Sequence, residues 1–343
     1  MFWSKIDTEH MDIKRARPFQ RNELLEDFLS RLNEDLLSSE KALLSRYQAQ
    51  SMRYPLILVM GPLRSGTTLF MQWLANTGLV SYPTNLLSRF YGAPILGAKI
   101  QLLLTDPRFN FRDELGEFAW QLEYHSENGK TRGALAPNEF WYFWRRFFAD
   151  PPRDIWTDHE LHQTMDTETM LAELCGMMNV FEKPFAAKGM LFNYNIPFLD
   201  SIFDKAIFVR IRRDPIANMA SILEARKRQF GNEHTWYSFK IPEYEKLKGL
   251  DPVSQVAGQV YYIDKAVSRG LTEVEGSRKL VVRYEDFCRD PGRIFKELSA
   301  KLGVDVKGYA GPAHFPISRN NMKDRERYKR ALAGISPESV TSI

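Results

Sequence analysis

The octet Gly61-Pro-Leu-Arg-Ser-Gly66-Thr67-Thr68 constrains this chain more than any other feature. A continuous apolar run from Tyr54 to Met60 precedes it, short enough for a strand buried on both faces. Thr67 to Thr77 follows and reads as a helix stopped at Gly78. Glycines let a backbone curl around an anion, and a helix amino terminus presents unpaired N–H groups and partial positive charge to it. The two glycines have the spacing of a nucleotide-binding phosphate loop, but Thr67 stands where a nucleoside triphosphatase has its lysine. Without that lysine, β- and γ-phosphates are poorly served. The basic group has moved to Arg64, inside the loop, which suits a shorter ligand whose 5′-phosphate carries one further group.

The succession of strand and helix recurs. Ala206 to Arg212 (AIFVRIR) is a second apolar run, followed by Asp214 and Pro215 at a helix start and the periodic stretch IANMASILEARKRQF. A third unit, KLVVRYEDF from Lys279, leads into Pro291 and the helix GRIFKELSAKLG, and Phe185 to Met190 reads as one more short strand. This alternation predicts an α/β fold with a central parallel sheet flanked by helices. The phosphate loop makes it P-loop NTPase-like. Ahead of the sheet, leucines and Phe28 recur at helical spacing between Asn22 and Tyr47, so residues 1–53 read as a helical preface. Residues 54–310 form the α/β domain, with a largely helical insertion at about 81–183 where the strand signal fades and aromatic residues crowd around Phe140 to Trp144. Residues 311–343 are a basic segment able to close over a ligand.

Composition narrows the function. The net charge is +4, from 47 basic and 43 acidic side chains, too mild to predict a nucleic-acid partner. Cys175 and Cys288 lie far apart, without a disulfide or zinc-ribbon pattern. The amino terminus carries charges throughout, and no stretch approaches the roughly 20 apolar residues of a membrane helix. A soluble, cytoplasmic protein is expected, with no integral membrane segment. His159 and His162 can share a helix face, yet no third ligand accompanies them, so no metal site is expected.

Arg64-Ser65-Gly66-Thr67-Thr68 resembles the 5′-phosphosulfate loop of the sulfotransferases that use 3′-phosphoadenosine 5′-phosphosulfate (PAPS). In that family an arginine at a strand end and a serine two helical turns later hold the 3′-phosphate. Arg213 and Ser221 match this motif within FVRIRRDPIANMASIL; Arg212 is the competing choice, on the opposite side of the strand. The resemblance spans roughly Tyr54 to Gly303 and implies PAPS as donor, PAP (adenosine 3′,5′-bisphosphate) as product and no metal. It also implies a basic segment near the carboxyl end, for which Ser318, Arg319 and Lys323 are the candidates. VVRYEDFCRDP resembles the family's third unit, where Tyr284 and Asp286 look structural. Gly129-Lys130-Thr131 spells the end of a nucleotide motif without the strand before it, and reads as a surface turn.

In sulfuryl transfer, charge builds on the departing phosphate oxygen. Arg64 and Lys188 are the cations for it, Lys188 because FAAKGM resembles the lysine segment that precedes the arginine motif in many members. The family's general base is often a glutamate shortly after the loop helix, but Thr84 and Asn85 occupy that neighbourhood here. The candidates are therefore Glu139, His125 and Glu117, with apolar neighbours expected to raise the proton affinity of Glu139. Its alternative is an ordinary helix-start carboxylate. The insertion's rings with Arg145 and Arg146 favour a carbohydrate or glycolipid acceptor, with peptide tyrosine and small natural products open. Two other functions remain at this level: a P-loop nucleotide kinase or NTPase, and a nucleotide-binding scaffold without turnover.

Overall fold

The computed structural model describes residues 15–47, 51–112, 114, 124, 126–127, 130–149, 153–305, 308–317 and 324–335. Its centre is a four-stranded parallel sheet built from β1 (Leu56–Met60), β4 (Phe185–Lys188), β5 (Ala206–Arg212) and β6 (Lys279–Arg283), in the order β4-β1-β5-β6. Separately, β2 (Ser126–Glu127) pairs antiparallel with β3 (Lys130–Thr131), so Lys130 and Thr131 lie in a short strand, while Gly129 lies outside the described residues.

The two faces of the sheet explain why β1 is apolar at every position. Leu56, Leu58 and Met60 point into one core with Phe185, Phe208 and the helices of the 141–202 region, while Ile57 and Val59 join Phe70, Trp73 and Val209 in the other. Burial of each such side chain contributes roughly 1.5–3 kcal/mol. Leu56 aligns with Phe185 on one side and Ala206 on the other, and Val59 with Lys188 and Val209. This register brings the carboxyl ends of β1, β4 and β5 to one edge, where loops of a parallel sheet collect ligands.

The preface is a 22-residue helix, Glu23–Leu44, whose first turn is capped by the Asn22 side chain accepting from Leu25 N–H. Between the loop helix (Thr67–Asn76) and β4, the described residues include the helices Pro94–Thr105, Trp141–Arg145, Asp158–Thr164 and Thr167–Phe181. One local departure concerns YEDF, which does not prolong β6. Tyr284–Arg289 is a short helix, and Pro291–Leu302 follows it directly. The last described helix, Arg325–Ile335, packs against Pro252–Gly270 and buries Leu332. Cys175 and Cys288 are both buried, and neither is disulfide-bonded. Among the described residues no helix is long and apolar enough to cross a membrane, and no cluster of three or more His, Cys, Asp or Glu is arranged to hold a metal ion.

Candidate active site

The loop is shaped by two glycines in conformations that other residues rarely adopt. Gly61 has φ 139° and lies so close to β5 that a Cβ would stand 2.6 Å from the Ile211 carbonyl. Gly66 has φ 105°, and a Cβ there would collide with the Tyr284 ring. Between them Arg64 also takes a left-handed conformation, φ 62°, at a cost of order 1 kcal/mol or more that the surroundings must offset.

Side chains from elsewhere hold the loop backbone in that shape. Asn193 clamps both polar groups of Gly61, accepting from its N–H and donating to its carbonyl at 3.0 Å each. Asn218 donates to the Leu63 carbonyl at 2.6 Å, and Arg213 Nη1 to the Arg64 carbonyl at 3.0 Å. These three carbonyls are thus bonded, and the first N–H groups of the loop helix lack intrahelical partners. The Ser65 hydroxyl is fully buried yet makes no hydrogen bond among the described residues.

The second motif meets the first. Asp214 caps the helix Pro215–Phe230 by accepting from Ile216 and Ala217 N–H, which fixes Arg213 at the end of β5 beside the loop. Arg213 lies over the Tyr284 ring, 4.8 Å from its centroid, and burial lowers its pKa. Ser221 Oγ accepts from Arg64 Nε at 3.3 Å. Arg212, the competing arginine, is 52% exposed and faces Asp264 across the other side of the strand, so the loop is Arg213's.

Two of the candidate catalytic residues also come together. Lys188, 5% exposed, donates to Glu139 Oε1 at 2.9 Å and to Thr68 Oγ1 at 2.8 Å. The Trp141 indole N–H donates to the other Glu139 oxygen. Burial alone would push the Glu139 carboxyl up, as its apolar neighbours suggested. The Lys188 charge and hydrogen bond, the Trp141 N–H and the Arg64 charge outweigh burial and hold the pKa below the usual carboxylate range. The expected upward shift is thereby corrected: an ammonium at hydrogen-bond distance prevails over desolvation.

Thr84 and Asn85, where a carboxylate was looked for, are spent on structure. Thr84 is buried and bonded to Gln101 and Leu87 N–H. Asn85 donates to Gly133 O and accepts from Asn138 Nδ2 at 2.8 Å. Asn138 in turn accepts from Phe140 N–H, and Phe140 takes a left-handed φ of 58°. This turn delivers Glu139 to Lys188, so a carboxylate arrives from the insertion instead of from the segment after the loop helix. Sequence reasoning missed Asn193, Asn218 and Tyr237. Tyr237 lies within electrostatic reach of Arg64 and Glu139, and burial raises its phenol pKa. None of the three carries a local motif. His125, Glu117, Ser318, Arg319 and Lys323 lie outside the described residues.

The sequence profile of the Sulfotransferase family matches residues 55–308. The chain belongs to that family. Its matched span takes in the loop, Glu139, Lys188, Arg213 and Ser221. Among solved structures, sulfotransferase STF9 from Mycobacterium avium superposes with a TM-score of 0.57 at 18% identity, over 100% of this chain and 89% of that one. Sulfotransferase STF1 from Mycobacterium tuberculosis matches with a TM-score of 0.48 at 14% identity, over 89% of this chain and 81% of that one. The first likeness supports the fold that the strand order already defines. Among curated protein sequences none matches the chain.

Proposed function

We propose that this sulfotransferase takes its sulfuryl group from PAPS and delivers it to an acceptor hydroxyl, with Glu139 as general base and Lys188 and Arg64 as the cations at the leaving oxygen. The observation that carries the reading is the meeting of two distant motifs. Arg213 and Ser221 are 149 and 157 residues from Arg64, yet one bonds to its carbonyl and the other to its guanidinium. Two anion sites side by side suit a nucleotide phosphorylated at both the 5′ and 3′ positions.

The residues present fit such a donor. The unpartnered Ser65 hydroxyl and the N–H groups of the Gly66-Thr67-Thr68 turn would hold the 5′-phosphate, and Arg213 with Ser221 the 3′-phosphate. PAPS, when bound, supplies an activated sulfuryl group on a phosphate leaving group. Lys188, bonded to Thr68 and Glu139, and Arg64, bonded to Ser221, would stabilise the negative charge. Glu139 is held ionised by its neighbours and would take the acceptor's proton on a lone pair that Lys188 and Trp141 do not use. A carboxylate beside Lys188 speaks against a scaffold without turnover, a reading whose best support is the lack of a carboxylate at Thr84 and Asn85.

The test is a thermal-shift comparison of PAP with ATP and magnesium. PAP should raise the melting temperature and ATP should not, since Thr67 replaces the lysine that a triphosphate needs. Stabilisation by ATP alone would favour a nucleotide kinase instead.

A further inference from the structure

Resting on that transfer reading, we propose that Tyr237 is a further residue of the transfer site, whose phenol O–H donates a hydrogen bond to the sulfuryl group as it passes from donor to acceptor. Tyr237 lies outside every motif, on the loop that follows the helix Pro215–Phe230. Its oxygen is acted on electrostatically by both Arg64 and Glu139. In an in-line transfer the moving group stands between the base and the leaving oxygen. A side chain within reach of both the base Glu139 and the cation Arg64 therefore borders that group.

The loop is built to hold Tyr237 there. Arg226, fully buried, donates to the Glu233 carbonyl at 2.9 Å, to Gln255 Oε1 at 2.7 Å and to Gln259 Oε1 at 2.9 Å. Gln259 in turn donates to the Tyr237 carbonyl at 3.1 Å. The next residue, Ser238, has a left-handed φ of 75°, a conformation that costs on the order of 1 kcal/mol or more outside glycine. Beyond it the Phe239 ring lies 6.1 Å from that of Trp141, whose N–H is bonded to Glu139. The Lys240 N–H donates at 2.8 Å to Asp154, which also pairs with Arg145. A buried guanidinium and a left-handed serine both cost stability, and both bear directly on Tyr237.

Packing alone does not call for a tyrosine. Phe230 meets the ring edge-on at 6.4 Å, a contact that phenylalanine would make as well. The hydroxyl is what distinguishes the residue. Burial raises its pKa, so it keeps its proton at neutral pH. Gln229 bears on the oxygen as a donor, and among the described residues the O–H itself has no acceptor. A neutral donor beside a guanidinium suits the sulfuryl oxygens, which carry negative charge throughout the transfer. No bond to the phenol is made or broken.

The experiment is calorimetric titration of the wild type and Tyr237→Phe with PAPS and with PAP, which differ by the sulfuryl group, alongside acceptor-free hydrolysis of labelled PAPS. The substitution should weaken PAPS about 3- to 30-fold, leave PAP unchanged and slow hydrolysis at least about 3-fold. Unchanged PAP binding also shows that the variant is folded. Equal losses for the two ligands would assign Tyr237 to the nucleotide or to the framework and overturn the proposal, as would an unchanged PAPS affinity. A wild type that binds neither ligand would instead sink the donor reading, and this proposal with it.

Discussion

Glu139→Gln is the most informative perturbation of the chemistry, because the amide keeps the shape of the carboxylate and removes its charge and its basicity. Lys188 would retain Thr68 at 2.8 Å but lose an ionic partner at 2.9 Å. Breaking a fully buried pair costs roughly 3–5 kcal/mol. Here the Glu139 side chain is a third exposed and the Thr68 bond remains, so about 1–2 kcal/mol is expected, a small drop in Tm. Turnover should suffer far more, since a positioned general base contributes about 10²- to 10⁴-fold. PAP affinity should hold or rise, because the substitution removes a negative charge beside an anion site. The pH profile carries the sign. Burial raises the Glu139 pKa, but Lys188, Trp141 and Arg64 bring it below the ordinary carboxylate value. The carboxyl is thus ionised at neutral pH, and the rate profile of an enzyme that uses it as base should fall only below the ordinary carboxylate range. Its stabilising pairing with Lys188 is likewise present above that ordinary value and lost as pH falls through the depressed one. Initial rates of labelled-sulfate transfer, with PAP titrations beside them, measure all of this. A loss in kcat below about 10-fold, with Tm and PAP binding intact, would refute the assignment of Glu139 as base.

Gly66→Ala should cost at least about 1–3 kcal/mol of stability and abolish PAP binding, because φ 105° and the Tyr284 ring leave no room for a Cβ; calorimetry and a melting curve report both. Asn193→Ala removes both partners of Gly61, and the affinity for PAP should fall while that for adenosine 3′-phosphate, which lacks the 5′ group, stays constant; equal losses for the two ligands would mean a merely structural role. Ser221→Ala, losing one neutral hydrogen-bonding group, should weaken PAP about 2- to 10-fold in the same titration.

What was legible in the sequence is what local chemistry writes. The apolar run of β1 marks a strand buried on both faces, Asp214-Pro215 opens the helix that sets Arg213, and Asn22 caps the preface. The octet from Gly61 marks a tight strand-to-helix turn by its two glycines. What stayed hidden depends on contacts between remote segments. Nothing near Glu139 in sequence tells of Lys188, 49 residues on, or of the Asn85–Asn138 bond that aims the turn. An apolar neighbourhood seemed to raise the Glu139 pKa because the ammonium beside it comes from another strand. Asn193 and Asn218 look like any asparagine until their carbonyl and amide partners in the loop are seen. The charged pair Arg145-Arg146 read as an acceptor feature because Asp154 and Glu173 answer them only in three dimensions. The tetrapeptide YEDF follows a strand without a break signal, yet turns helical because Tyr284 must pack over Gly66.

The central claim is that one ligand is gripped at two phosphates, by the backbone turn at Gly66 and by the Arg213 guanidinium. Calorimetric titration with PAP and with adenosine 5′-phosphate, on the wild type, Arg213→Ala and Arg212→Ala, addresses it directly. PAP should bind the wild type more tightly by about 10- to 150-fold, the worth of a charged hydrogen-bonding group. That advantage should vanish in Arg213→Ala and survive in Arg212→Ala. Equal affinities for the two nucleotides in the wild type, or an advantage that persists without Arg213, would contradict the account.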